Sequence, residues 1–287
     1  MAPSAIVVLA VVVVPVVAGI AASFQDMTLR SLARGTVRFT GFANYRRMLD
    51  DPVFWQALGN SIVWVVFNVV AQMIGGLLIA LMLERVQRFS GLIRSIILVP
   101  WVVPSVVAVL TWRWMYDPNL GIINEMMMRL GVIADYIPWL GLSKTALPAA
   151  AIEHVWKGIP FVALMLLAAL QMIPQSTIES AKVDGARWWS LLRYIIFPQI
   201  RLPFAVCAIL VSVYSLNAFN SIWLMTGGGP VYSSEILFTH AYRKGFENFD
   251  LGLSAAISTV LFAVLLVAST IYLLLTQRLS DDTEGLK

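Results

Sequence analysis

Apolar residues in this chain fall in long runs separated by short polar intervals. Six windows, residues 4–24, 60–83, 94–115, 147–172, 202–224 and 253–275, are apolar enough to cross a bilayer, which takes roughly 20 helical residues each. The pattern predicts an all-α membrane protein of six transmembrane helices, with residues 1–287 forming a single transmembrane domain. The first window has a second reading as a secretory signal, because VAGIAAS offers small residues at a cleavage point. Against that, no Lys or Arg precedes the run, and the run is longer than the usual signal core. A retained helix is the expectation.

Composition agrees with the pattern. The 287 residues are 59% hydrophobic and 13% charged, more apolar surface than a compact soluble fold can hide. Six spans put both termini on one side. With cytoplasmic termini, the inner segments hold Arg85, Arg88, Arg94, Lys182, Arg187, Arg193, Arg201, Arg278 and Lys287. The outer segments hold a similar number, including Arg30, Arg34, Arg38, Arg46 and Arg47, over a greater length. Basic density therefore favours cytoplasmic termini. The single cysteine, Cys207, lies in an apolar run, which excludes disulfides and thiolate metal sites. Two histidines leave little for zinc or haem, and no P-loop motif is present. The acidic pairs Asp50-Asp51 and Asp281-Asp282 read as solvated charge. Nothing interleaves bases with aromatics in the manner of a nucleic-acid binder.

One polar interval is patterned rather than slack: ESAKVDGARWWSLLRYIIFPQIRLP, within residues 174–201 and the start of the fifth window. Pro174 stops the fourth span, and Ser176 with Glu179 matches a capping box. Gly185 is the residue expected where that helix ends in a left-handed turn. Beyond it, Trp188, Leu191, Leu192, Ile195 and Ile196 fall on one helical stripe. Pro198 and Pro203 are expected to end this second helix and launch the fifth span. The stripe is available to the lipid interface, to the chain's own bundle or to a groove on a partner.

ESAKVDGA followed by IIFPQIRLP resembles the signature loop of binding-protein-dependent ABC importer permeases, with Ser180 in place of an alanine. FTGFANYRRMLDDPVFWQALGNSI, RSIILVPWVVPSVVAVLTWRWMYDPNLGIIN, VWKGIPFVALMLLAALQMIP and LMTGGGPVYSSEILFTHAYRKGF extend the resemblance to the carbohydrate-uptake, maltose-permease-like branch. The resemblance implies a cytoplasmic helix–turn–helix coupling loop between helices 4 and 5, with Glu179, Ser180, Ala181, Asp184 and Gly185 meeting an ATPase. It also implies two ATPase copies that hold ATP and Mg, leaving this chain without a cofactor, metal or catalytic site of its own. A second homologous permease, an extracytoplasmic solute-binding protein and a bacterial inner-membrane location complete the expected assembly. The implied function is ATP-driven import of a sugar or related polyol by alternating access.

Polar residues inside spans are expensive and mark candidate pathways. Glu153 and Lys157, at i and i+4, are expected to neutralise one another. His154 either bonds a neighbouring helix or contacts substrate, and the resemblance implies that His154 and Gly158 face the solute. Tyr214, Asn217 and Ser221 are expected on one face of the fifth span, with Ser215 and Asn220 alongside, as solute lining or as helix–helix bonding. TGGGP, residues 226–230, is a turn or a contact for a delivering protein. Pro100 and Pro104 should kink the third span. Trp112, Trp114 and Tyr116 read as an interfacial belt. An ion-gradient transporter or a lipid-sugar transferase are the rival readings; the first would show repeats and midplane acids, the second clustered acids at a membrane face.

Overall fold

The computed structural model of the protein describes residues 7, 9–86 and 88–284, with side chains described to 267 and at 269, 270 and 272. Residues 4–6 and 8 of the first window, Lys287, and the side chains of Arg278, Asp281 and Asp282 lie outside that range. Eight principal helices carry the architecture: α1 Leu9–Ser23, α2 Pro52–Glu84, α3 Ser90–Val102, α4 Ser105–Met115, α5 Ala146–Gln171, α6 Gln175–Val183, α7 Trp188–Leu216 and α8 Leu251–Glu284. Among them α2, α5 and α7 are each long and apolar enough to cross a membrane, and α3 with α4 qualify as one bent span. Leu9–Ser23 is a shorter apolar helix, and the stretch Leu251–Val267 of α8 is apolar as well.

Helix α2 is longer than its apolar window because its start is well capped. The Asp51 carboxylate accepts the Val53 N–H at 2.9 Å, and Pro52 follows at the first helical position. Helix α5 packs along α2 as the most extensive pairing, with α3 and α7 closing around the two. A first core cluster joins Met73, Leu81, Val162, Leu166, Ile200 and Cys207. A second, toward the other end of α5, joins Trp64, Tyr116, Ala150, Ile222 and Ile236. Helix α8 packs on α1 and on the segment Leu237–Tyr242.

Several local expectations are corrected. The third span is not kinked but broken: α3 ends at Val102, α4 starts at Ser105, and the two meet at 85°. Proline at both 100 and 104 removes neighbouring amide donors from the same turn, and one more turn of helix cannot be closed. The prolines after the signature loop do the opposite of what was expected. Helix α7 continues through Pro198 and Pro203, with a π segment at Leu191–Ile196. Pro198 falls in the first turn of the α-helical part, where a missing N–H costs little.

At one end of the bundle the charged residues form a network rather than a solvated fringe, correcting the reading of Asp51. Its carboxylate holds the Lys244 ammonium at 2.7 Å and lies 3.5 Å from the buried His240 ring. Glu235, fully buried, lies 3.6 Å from the other ring nitrogen and is gripped by two Arg243 nitrogens at 3.0 and 3.1 Å. Arg243 also donates to the Gly227 carbonyl at 2.5 Å, which ties the TGGGP turn to the segment Arg243–Glu247. Partial burial pushes the Asp51 carboxyl up, but Lys244 and the Val53 amide outweigh it and hold the carboxyl below its ordinary value of 3.8. A group with a depressed folded-state value stabilises above its unfolded value and loses that contribution as pH falls. Asp51→Asn keeps the cap and removes the charge, so it is expected to lower the melting temperature at pH 7 by a few degrees. The difference should vanish as the pH is taken well below 3.8, as read by thermal unfolding of the detergent-purified protein.

Candidate functional site

Between the two apolar clusters lies a belt of buried polar side chains: Asn68 and Gln72 on α2, Glu153, His154 and Lys157 on α5, Ser215 on α7 and Ser221 on the short helix Phe219–Trp223. His154 sits at its centre. One ring nitrogen is 3.3 Å from the Ser221 hydroxyl and the other is 3.4 Å from the Ser215 hydroxyl. Tyr214 stacks on the imidazole at 5.0 Å, and Trp64 closes the opposite side while donating to the Ser215 carbonyl at 2.9 Å. The expected single face of Tyr214, Asn217 and Ser221 is not formed, because α7 ends at Leu216 and Asn217 turns its amide back to the Val213 carbonyl. The break nevertheless brings Tyr214 and Ser221 to the same histidine from two directions. Asn220 lies elsewhere, donating to the Ser105 hydroxyl at 3.0 Å.

A cavity of about 240 Å³ opens beside this belt, lined by Gln72, Trp101, Gly158, Phe161, Leu210, Val211 and Tyr214. Its walls are aromatic and apolar with an amide and a phenol, the mixture expected of a small-molecule site. Gly158 lets the Gln72 amide come close, since a β-carbon there would overlap the amide and push the Gln72 side chain aside. The fully buried His154 supports this wall through the Tyr214 stack and does not line the cavity itself. Gln72, Trp101 and Phe161 were not singled out from sequence. The one available signal was Gln72, a primary amide in an otherwise apolar window.

The expected Glu153–Lys157 pair is not made. The Lys157 ammonium instead donates to the carbonyls of Val103, Pro100 and Trp101, the last two at 3.5 Å. These are the acceptors left open where α3 breaks, and a cation at a helix C-terminus is also favoured by the helix dipole. Glu153 is left with both oxygens buried and without a hydrogen-bond partner among the described residues.

In the signature loop, Gly185 has φ +80° and ends α6 with paired bonds, from the Ala186 amide to Ala181 and from the Gly185 amide to Lys182. The capping box is not formed, because α6 starts at Gln175 behind Pro174 and Ser176 is already inside the helix. Glu179, Ser180, Asp184 and Gly185 are exposed, whereas Ala181 is buried. Val183, missed in the sequence, is the most exposed apolar side chain of the tip at 86%. Of the stripe, Leu191, Leu192 and Ile196 pack into the bundle's own core, while Trp188 stays outside.

Residues 72–281 match the family described as binding-protein-dependent transport system inner membrane component. The chain belongs to this family. It is 35% identical to the trehalose/maltose transport system permease protein MalF of Thermococcus litoralis, over 82% of this chain and 79% of the relative. It is 32% identical to the sulfoquinovosyl glycerol transport system permease protein SmoG of Agrobacterium fabrum, over 95% and 87%. The fold matches a bacterial alginate ABC transporter solved with an alginate pentasaccharide-bound periplasmic protein, at TM-score 0.80 and 21% identity, covering 97% of this chain and 91% of that one. The protein is thus a membrane-embedded ABC importer permease, which displaces the ion-gradient and transferase readings.

In this permease Lys157 holds the broken span. Lys157→Met should leave buried carbonyls without a donor, at about 1–3 kcal/mol for each lost partner, and lower the melting temperature of the purified protein. Lys157→Arg should recover most of the loss.

Proposed function

We propose that this permease imports a neutral sugar or related polyol across the bacterial cytoplasmic membrane. The observation that carries the reading is the cavity beside His154, whose lining is an amide, a phenol and aromatic faces with no charged group. Such a lining hydrogen-bonds hydroxyls and packs against a ring, while an ionic solute would find no counter-charge there. A relative named for trehalose and maltose transport supports the same class. Gln72 and Tyr214 supply the polar contacts, Trp101 and Phe161 the apolar walls, and Gly158 the room. His154 with Ser215 acts behind Tyr214 and fixes its ring.

Six spans, with α1, the bent α3–α4 pair and α8 crossing beside α2, α5 and α7, would place both termini in the cytoplasm. A second homologous permease completes the pathway, two ATPase copies bind ATP, and a solute-binding protein delivers from outside. The exposed tip formed by Glu179, Ser180, Val183, Asp184 and Gly185 seats in the ATPase, and Ala181 serves the packing of α6 instead. Because the stripe after the tip continues into α7 without a break, motion of the tip is carried along one helix to Tyr214. Closure of the ATPases on ATP then shifts the bundle between inward- and outward-facing states.

Uptake of labelled sugar by the complete transporter in proteoliposomes tests the solute pathway. Tyr214→Ala is expected to lower sugar uptake roughly tenfold, equivalent to about 1.4 kcal/mol, with the ATPase still bound. Uptake unchanged in Tyr214→Ala and Gln72→Ala would remove the cavity from the pathway. Coupling is tested by co-purification with the ATPase. Gly185→Arg and Glu179→Lys should still insert in the membrane but lose the ATPase, and unchanged capture would reduce the loop to a packing element.

A further inference from the structure

The aromatic cluster at the end of α4 is not the uniform interfacial belt expected from sequence. Tyr116 is buried, near Trp139 and Trp112, and Trp112 is half-buried in the same core. Trp114 alone turns outward, 72% exposed. It stands at a cavity of about 650 Å³ between the end of α4, the 138–141 turn and the start of the TGGGP segment. This cavity is separate from the one beside His154 and shares no lining residue with it.

Two opposite charges line the cavity without meeting. Arg113 anchors one guanidinium nitrogen on the Leu224 carbonyl at 2.9 Å. Asp117 uses one oxygen to accept the Asn119 and Leu120 amides, each at 2.9 Å. Those two bonds hold its carboxyl below the usual carboxylate range and fix its direction. Although they sit at i and i+4, Arg113 and Asp117 form no ion pair with each other. Each therefore keeps hydrogen-bonding capacity on a fixed group, donor nitrogens on one side and an acceptor oxygen on the other. The two charges sum to zero, so the cavity as a whole favours no net charge on its occupant. An exposed indole face beside a fixed donor and a fixed acceptor suits a neutral ring bearing hydroxyls. The volume lies within the usual range for ligand pockets, about 300–1,000 Å³.

We propose that this cavity is an entry site for a saccharide, distinct from the cavity beside His154, in which a sugar ring lies on Trp114 and is hydrogen-bonded by Arg113 and Asp117. It rests on the reading of the chain as a sugar permease and extends that reading to an outer vestibule that catches solute before the bundle takes it in. Thr226, on the wall of the cavity, belongs to the segment that Arg243 fastens through Gly227. The vestibule and the charged network are therefore neighbours at one end of the molecule.

The test uses the complete transporter in proteoliposomes, with saturating liganded binding protein and labelled maltose, trehalose or sucrose as probes. Two rates are read together: ATP hydrolysed and sugar delivered. Trp114→Ala and Asp117→Asn are expected to keep the binding-protein-stimulated ATPase while sugar delivered per ATP falls roughly fivefold. Trp114→Phe should recover most of the ratio. If ATPase and uptake fall together, Trp114 is a structural or interfacial residue and the vestibule is overturned. It is overturned equally if wild type imports a sugar and the variants deliver as much per ATP. A wild type that hydrolyses ATP but imports none of the three sugars overturns the vestibule as a disaccharide entry site, while the polyol branch of the proposed function stands.

Discussion

Three backbone carbonyls that cannot be left bare organise the centre of this protein. Where α3 breaks from α4, Pro100, Trp101 and Val103 expose their oxygens inside an apolar bundle, and an unsatisfied polar group there is costly. Lys157 on α5 answers them. The bond does more than repair the break. It pins the end of α3 against α5, which stacks Trp101 on Phe161 at 5.8 Å and sets one wall of the cavity. The far side of the break is held separately, by the bond between Asn220 and Ser105. Remove the ammonium, and the wall, the cavity and the bend lose their common support.

The same economy recurs in the polar belt. Asn68, Gln72, His154, Ser215 and Ser221 are too polar for a packed core and too enclosed for water, so they are satisfied largely by one another and by helix carbonyls. A belt of this kind divides the bundle into two apolar halves. One half leads through α7 to the exposed tip at Asp184 and Gly185. The other leads to the charged network at Asp51, His240, Glu235 and Arg243. The candidate solute site thus lies between the exposed tip and the charged network.

Much of the candidate site was legible in the sequence because of what polarity costs in a membrane. His154, Gly158, Tyr214 and Ser215 stood out as polar or small residues in apolar windows, and all four come together around one imidazole or the adjoining cavity. Asn217 and Asn220 stood out for the same reason yet face elsewhere. Periodicity had assumed a helix that in fact ends at Leu216. Gln72 went unremarked because a single amide in a long apolar run carries little weight until the facing glycine is known. Glu153 and Lys157 show the limit most plainly: their spacing predicts a pair, but a better set of acceptors existed on another helix.

The sequence by itself determined the class of the molecule. Long apolar runs can satisfy their backbone in lipid only as helices, and Gly185 admits the left-handed turn that ends α6, so both follow from local chemistry. Its motifs, read in order along the chain, determined the family. Tertiary structure decided which pair of prolines breaks a helix and which pair is absorbed, which aromatic residue of Trp112, Trp114 and Tyr116 faces outward, and where Lys157 spends its charge. Those outcomes depend on donors and acceptors brought together from distant segments, and no local pattern records how far apart in space two such groups will lie.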